Sequence, residues 1–123
     1  MIDISPNNQN QQTIEESIFI SGIGLHSGKL VEIKLLPAEV DHGVKFIRID
    51  KKTDNVIDAV WSNVSETVLS TTISNQSGIK ISTIEHLMSA LSGLHIDNLI
   101  IYINASEVPI MDGSSKPFVV FFE

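Results

Sequence analysis

Between Ser82 and Ile103 the spacing of apolar residues changes period, and this change restricts the fold more than any other feature of the chain. Ile84, Leu87, Met88 and Leu91 stand at i, i+3, i+4 and i+7, the single apolar stripe of an amphipathic helix. Ser82 and Glu85 have the spacing of an S-x-x-E capping box, which predicts the helix start, and Gly93 predicts its stop. Leu99 to Ile103 then runs almost without a polar residue, the pattern of a strand covered on both faces and central in its sheet.

Upstream the period is two. Val31, Ile33 and Leu35 alternate with Glu32, Lys34 and Leu36 up to Pro37, which predicts a half-buried strand; Val44 to Ile49 and Val56 to Trp61 repeat the pattern less strongly. Ile18 to Ile20 leads into the loop GIGLHSG, and the stretches Leu69 to Ile73 and Ile79 to Ile81 flank a hairpin turn at Asn75-Gln76-Ser77-Gly78. After the turn-forming VPIMDGSS, Pro117 is placed to open a second helix through Phe118, Val119, Phe121 and Phe122. Strands outnumber helices. The expected class is α+β, a two-layer sandwich of one mainly antiparallel β-sheet with helices packed on one face.

At 123 residues and 42% hydrophobic composition, the chain has the size and apolar content of one domain with one modest core. Its first dozen residues, Asn, Gln, Ser and Pro with little to bury, predict a flexible tail over 1–16 and a packed domain over 17–123. With no cysteine, a bound metal must use imidazole, carboxylate or water. A net charge of -7 with eight scattered Lys and Arg argues against a nucleic-acid partner, and implies that the cationic contacts of any anionic ligand lie on another domain or chain. No apolar stretch reaches membrane-spanning length and no signal sequence is visible, so a soluble, cytoplasmic protein is expected.

Four histidines, His26, His42, His86 and His95, are the starting points for metal or proton chemistry, but none forms a self-contained metal spacing. The helix is more informative. Glu85, His86 and Ser89 fall on the side opposite its apolar stripe, so a carboxylate and an imidazole share a polar face in the first turn. There the positive end of the helix dipole favours a carboxylate and disfavours an imidazolium, the states needed in a base and a metal ligand. The plainer alternative is that Glu85 closes the capping box and His86 lies on a solvated face. A glutamate folded onto its cap cannot also reach a reacting water. His26 lies in a loop whose glycines let backbone approach a ligand or another segment closely, but a surface histidine is the plainer reading; Asp112-Gly113 has ordinary turn chemistry, and neither His42 nor His95 suggests a role.

Three segments carry a resemblance: SGIGLHSGK at 21–29, STIEHLMSALSGLHIDNLIIYIN at 82–104 and EVPIMDGSSKPF at 107–118. In this order they resemble the first half of the UDP-3-O-acyl-N-acetylglucosamine deacetylase family. The resemblance implies a zinc-dependent hydrolase that removes the N-acetyl group from a UDP-linked, acylated glucosamine, the committed step towards lipid A. It implies that His86 is a zinc ligand and Glu85 the general base on the zinc-bound water. It also implies supporting positions for His26 and Asp112, and a cleft lined by the segment containing Leu69 and Ser70, where some relatives carry cysteine at the Ser70 position. Members of the family are more than twice as long, with a second domain that supplies a histidine and an aspartate to the zinc and the acyl channel.

The expectation is therefore an N-terminal domain with part of an active site, inactive alone, whose helix face bearing Glu85 and His86 is exposed or used in self-association. Fragment and truncated gene product remain alternatives. The competing function is a non-catalytic binding or self-association module that keeps the fold.

Overall fold

The computed structural model describes residues 2–4 and 11–109. In chain order these form β1 (Ile2–Ile4), β2 (Gln12–Ile14), β3 (Ile18–Ile23), β4 (Leu30–Pro37), β5 (Val44–Arg48), β6 (Val56–Asp58), a 3-10 turn (Trp61–Asn63), β7 (Val64–Glu66), β8 (Thr72–Ser74), β9 (Lys80–Ile81), α1 (Glu85–Gly93) and β10 (Leu99–Ile103). The class is α+β. The second helix expected after Pro117 lies outside the described residues, and no helix among those described is long and apolar enough to cross a membrane.

The apolar run of β10 takes the centre of a five-stranded sheet ordered β3-β4-β10-β5-β6. It pairs antiparallel with β4, Ile101 opposite Leu35, and parallel with β5, Ile101 opposite Phe46. Leu99, Ile101 and Ile103 are fully buried beside Val31, Ile33, Leu35, Phe46 and Ile57. On the other face Ile100 and Tyr102 are only half-buried, and neighbouring Phe19 is 60% exposed. Among the described residues, the expected cover is thus complete on one face only. On that face Lys34 pairs with Tyr102 and Lys45 with Ile100.

The single sheet expected from the strand count is divided. β7, β8 and β9 form a separate three-stranded antiparallel sheet, whose Ile73 and Ile81 are buried in the same core. The turn between β8 and β9 falls where its residues predict: the Gly78 N–H donates to the Asn75 carbonyl at 3.1 Å, and Gly78 has φ +79°. Arg48, 8% exposed, joins the two sheets by donating from Nη1 to the Lys80 carbonyl while its other nitrogens bind Asp50. Partial burial opposes the Asp50 carboxylate, but the hydrogen bonds and charge of Arg48 outweigh it and hold the group below its ordinary value. The resulting stabilisation is present above the ordinary aspartate value and is lost as pH falls through the lowered one.

The N-terminal boundary also moves. Composition places 1–16 in a tail, yet Ile14 has no exposed surface and β2 pairs with β1. Thr13 Oγ1 donates to the Asn98 carbonyl at 2.6 Å, Asn98 Nδ2 donates to Gln11 Oε1, and Asp97 Oδ2 accepts the Gln12 N–H. Polar residues read as tail because they have little to bury, but here they satisfy the chain end after α1.

Helix α1 buries Leu87, Ala90 and Leu91, and Ile84 just before it, as the stripe requires. Its ends differ from expectation. Ser82 is not the cap: its Oγ donates to the Ser106 carbonyl at 3.3 Å, its backbone forms a parallel bridge with Glu107, and Ile84 occupies the N-cap without a side-chain cap bond. At the other end Gly93 is the last helical residue, and the chain reverses at His95, which has φ +58°. Ile96 N–H donates to the Leu91 carbonyl and His95 N–H to Ser92, while Leu91 and Ile96 are both buried: a Schellman motif with histidine where glycine is favoured.

Two substitutions test these assignments by denaturant unfolding. His95→Gly removes the side chain from a left-handed position and should raise stability by about 1 kcal/mol. Ile14→Ala should cost about 2–4 kcal/mol, a loss that a free tail would not show.

Candidate active site

The site is built where the chain turns from the Ser82–Glu107 bridge into α1. Thr83 makes that turn with φ +60°, an uncommon conformation for a β-branched residue and a mark of locally stored strain. Thr83 is 4% exposed, and its Oγ1 is buried without a hydrogen-bond partner among the described residues.

Thr71, at the end of the preceding loop, clasps the start of the helix from two sides. Its carbonyl accepts the Ile84 N–H at 3.3 Å, and its N–H donates to Glu85 Oε2 at 3.2 Å. This arrangement excludes the capping-box reading of Glu85. The carboxylate is not folded onto Ser82; one oxygen is fixed by a backbone donor, and the other, Oε1, is buried with no partner among the described residues. His86 follows, half-buried, on the flank of the helix next to buried Ala90, with Ser89 exposed three residues on. Glu85, with one oxygen unpartnered among the described residues, and His86 are thus the first two residues of α1, at its positive end.

The segment resembling a cleft wall is split by burial. Ser70 is 9% exposed and adjoins the clasp, whereas Val68 and Leu69 are 86% and 80% exposed and form the rim rather than a strand. His26 is exposed, in a loop closed by bonds from Gly24 N–H to the Lys29 carbonyl and from Gly28 N–H to the Gly24 carbonyl. Asp112 lies outside the described residues. His42 Nδ1 is 3.0 Å from the Gly43 carbonyl, and His95 serves the helix stop. Among the described residues no group of three His, Asp or Glu side chains is placed to hold a metal.

One residue of the site was not anticipated. Glu107, 4% exposed, accepts the His26 N–H at 2.9 Å on Oε1 and the Ser27 N–H at 3.1 Å on Oε2. Its backbone bridge to Ser82 places it beside the segment leading into α1. The available sequence signal was an acidic residue immediately before the apolar Val108-Pro109, where a solvated charge is out of place.

A family model described as UDP-3-O-acyl N-acetylglycosamine deacetylase matches residues 11–123. Among curated relatives, the UDP-3-O-acyl-N-acetylglucosamine deacetylase of Saccharophagus degradans is 50% identical over 113 residues, 92% of this chain and 37% of the relative. That of Hahella chejuensis is 51% identical over the same shares, and that of Mannheimia succiniciproducens 48% identical over 109 residues, 89% of this chain and 36% of the relative. The chain thus spans little more than a third of the length of these relatives. With the match running from Gln11 through the Glu85–His86 helix to Glu123, the chain belongs to the UDP-3-O-acyl N-acetylglycosamine deacetylase family.

Proposed function

We propose that this chain contributes the general base and one metal ligand to hydrolysis of the N-acetyl group of a UDP-linked, 3-O-acylated glucosamine. The observation that carries the reading is the state of Glu85, the residue before His86: Oε2 is fixed by the Thr71 N–H, and Oε1 is buried and unpartnered among the described residues.

Hydrolysis of the amide forms a bond from water oxygen to the acetyl carbon and breaks the carbon–nitrogen bond, giving acetate and an amine. The water must lose a proton as it attacks, and Glu85 Oε1 is the atom to accept it, its orientation maintained by the Oε2 bond. The departing nitrogen must gain a proton, for which the described residues suggest no donor beside Glu85.

The donor chemistry fits zinc in part. A half-buried imidazole beside an orphaned carboxylate oxygen suits a zinc–water site, but the described residues offer no three-ligand group. His86 would be one ligand of a site completed by residues beyond those described. When bound, zinc lowers the pKa of its water towards about 7 and polarises the carbonyl.

The test uses a chimera in which residues 11–123 are joined to the remainder of the Saccharophagus degradans relative. Glu85→Gln should lower kcat by about a hundredfold or more while zinc per chain stays the same; retention of full turnover would sink the assignment of the base. His86→Ala should lower zinc content and turnover together, whereas the unjoined chain should neither retain zinc through dialysis nor turn over.

A further inference from the structure

We propose that Glu107 is a positioning residue whose buried carboxylate fixes the His26 loop relative to the helix start that presents Glu85 and His86. The inference rests on the function proposed above.

The loop from Gly24 to Gly28 lies at the surface, where water could satisfy the N–H groups of His26 and Ser27 at little cost. They are instead held by a carboxylate that is 4% exposed, one oxygen to each of two consecutive donors. Burying a carboxylate is expensive, so this is an uneconomical way to satisfy a surface turn but an effective way to immobilise one. The seat is fitted closely. A Cβ on Gly24 would stand 2.8 Å from Glu107 Cδ, 2.9 Å from its Oε1 and 2.6 Å from Ser27 Oγ, so the absence of a side chain at Gly24 makes room for the carboxylate.

The other end of Glu107 is equally constrained. Ser82 N–H donates to the Ser106 carbonyl at 2.8 Å, Val108 N–H donates to the Ser82 carbonyl at 3.0 Å, and Val108 is buried. Ser82 is followed by the strained Thr83 and then by the start of α1. A single side chain therefore couples the backbone of His26 to the segment that aims Glu85 and His86, although the loop and Glu107 are 81 residues apart in sequence. Its effect on the reaction would pass through the placement of the His26 loop, without contact with substrate.

Two measurements test the proposal. In this chain, Glu107→Gln keeps the shape but replaces one acceptor oxygen with an amino group, so amide exchange at His26 and Ser27 should accelerate about tenfold or more, while exchange in β10 stays slow. In the chimera the same substitution should lower kcat/KM about tenfold, but less than about twofold when His26 is already alanine, with an equal drop in Tm in both backgrounds. A purely structural residue would give the same rate loss in both backgrounds, and that result would overturn the proposal. Loss of rate in Glu85→Gln with none in Glu107→Gln would overturn the positioning role and leave the assignment of the base standing; no loss in either would overturn both. Should Glu107→Gln not fold, Gly24→Ala displaces the same carboxylate and is judged by the same outcomes.

Discussion

Ser82 bridges Glu107 and lies two residues before the N-cap, and the organisation of the site follows from its forming the bridge. With Ser82 held in extended pairing against residues 106 to 108, the chain has only Thr83 and Ile84 in which to turn into α1. Thr83 makes that turn in the left-handed region, which a β-branched residue occupies only when its surroundings over-determine it. Two consequences combine. The helix begins without a side-chain cap bond from its N-cap residue; and Glu85, released from the capping box, reaches Thr71 instead.

The region concentrates polar groups in places where a stability-optimised fold would not put them. Thr83 Oγ1 and Glu85 Oε1 are buried without partners among the described residues, and Glu107 is a buried carboxylate held by backbone donors. Each costs free energy relative to an apolar replacement. The offset comes from the apolar side of the same elements: Ile84, Leu87, Ala90 and Leu91 from the helix, and Leu99, Ile101 and Ile103 from the central strand, enter one buried cluster. Strain at Thr83 is sustained because the residues on either side of it are fixed, Ser82 by the bridge and Ile84 by its N–H bond to the Thr71 carbonyl.

What the sequence revealed and what it concealed divide along contact range. The helix stripe, the alternation in β4, the Asn75–Gly78 turn and the central position of β10 were legible because each follows from which side of a local element is buried. The parallel pairing of β10 with β5, the true role of Ser82 and the anchoring of Gln11 to Asn98 were not, because their partners are distant in sequence, 87 residues apart in the last case. The capping box shows the failure clearly: S-x-x-E spacing is a local rule, and the bridge of Ser82 to Glu107 overrode it. At the helix stop the rule itself held, but His95 took the left-handed position that glycine spacing assigned nearer Gly93.

In α1 the residues packed in the core are not those that the proposed chemistry uses. Leu87, Ala90 and Leu91 hold the helix in the core without help from Glu85, His86 or Ser89. Held in this way, the helix would present the proposed base and imidazole ligand in fixed orientation before any other ligand arrives. That pre-orientation limits the entropy that completing the metal site must overcome. The charge balance points the same way: with a net charge of -7 and eight cationic residues, the chain is poorly supplied to neutralise a nucleoside diphosphate, so the cations for that part of the substrate would come from outside it. In the proposed reaction this chain would therefore align one proton acceptor and one ligand, and phosphate recognition would rest on cations outside it.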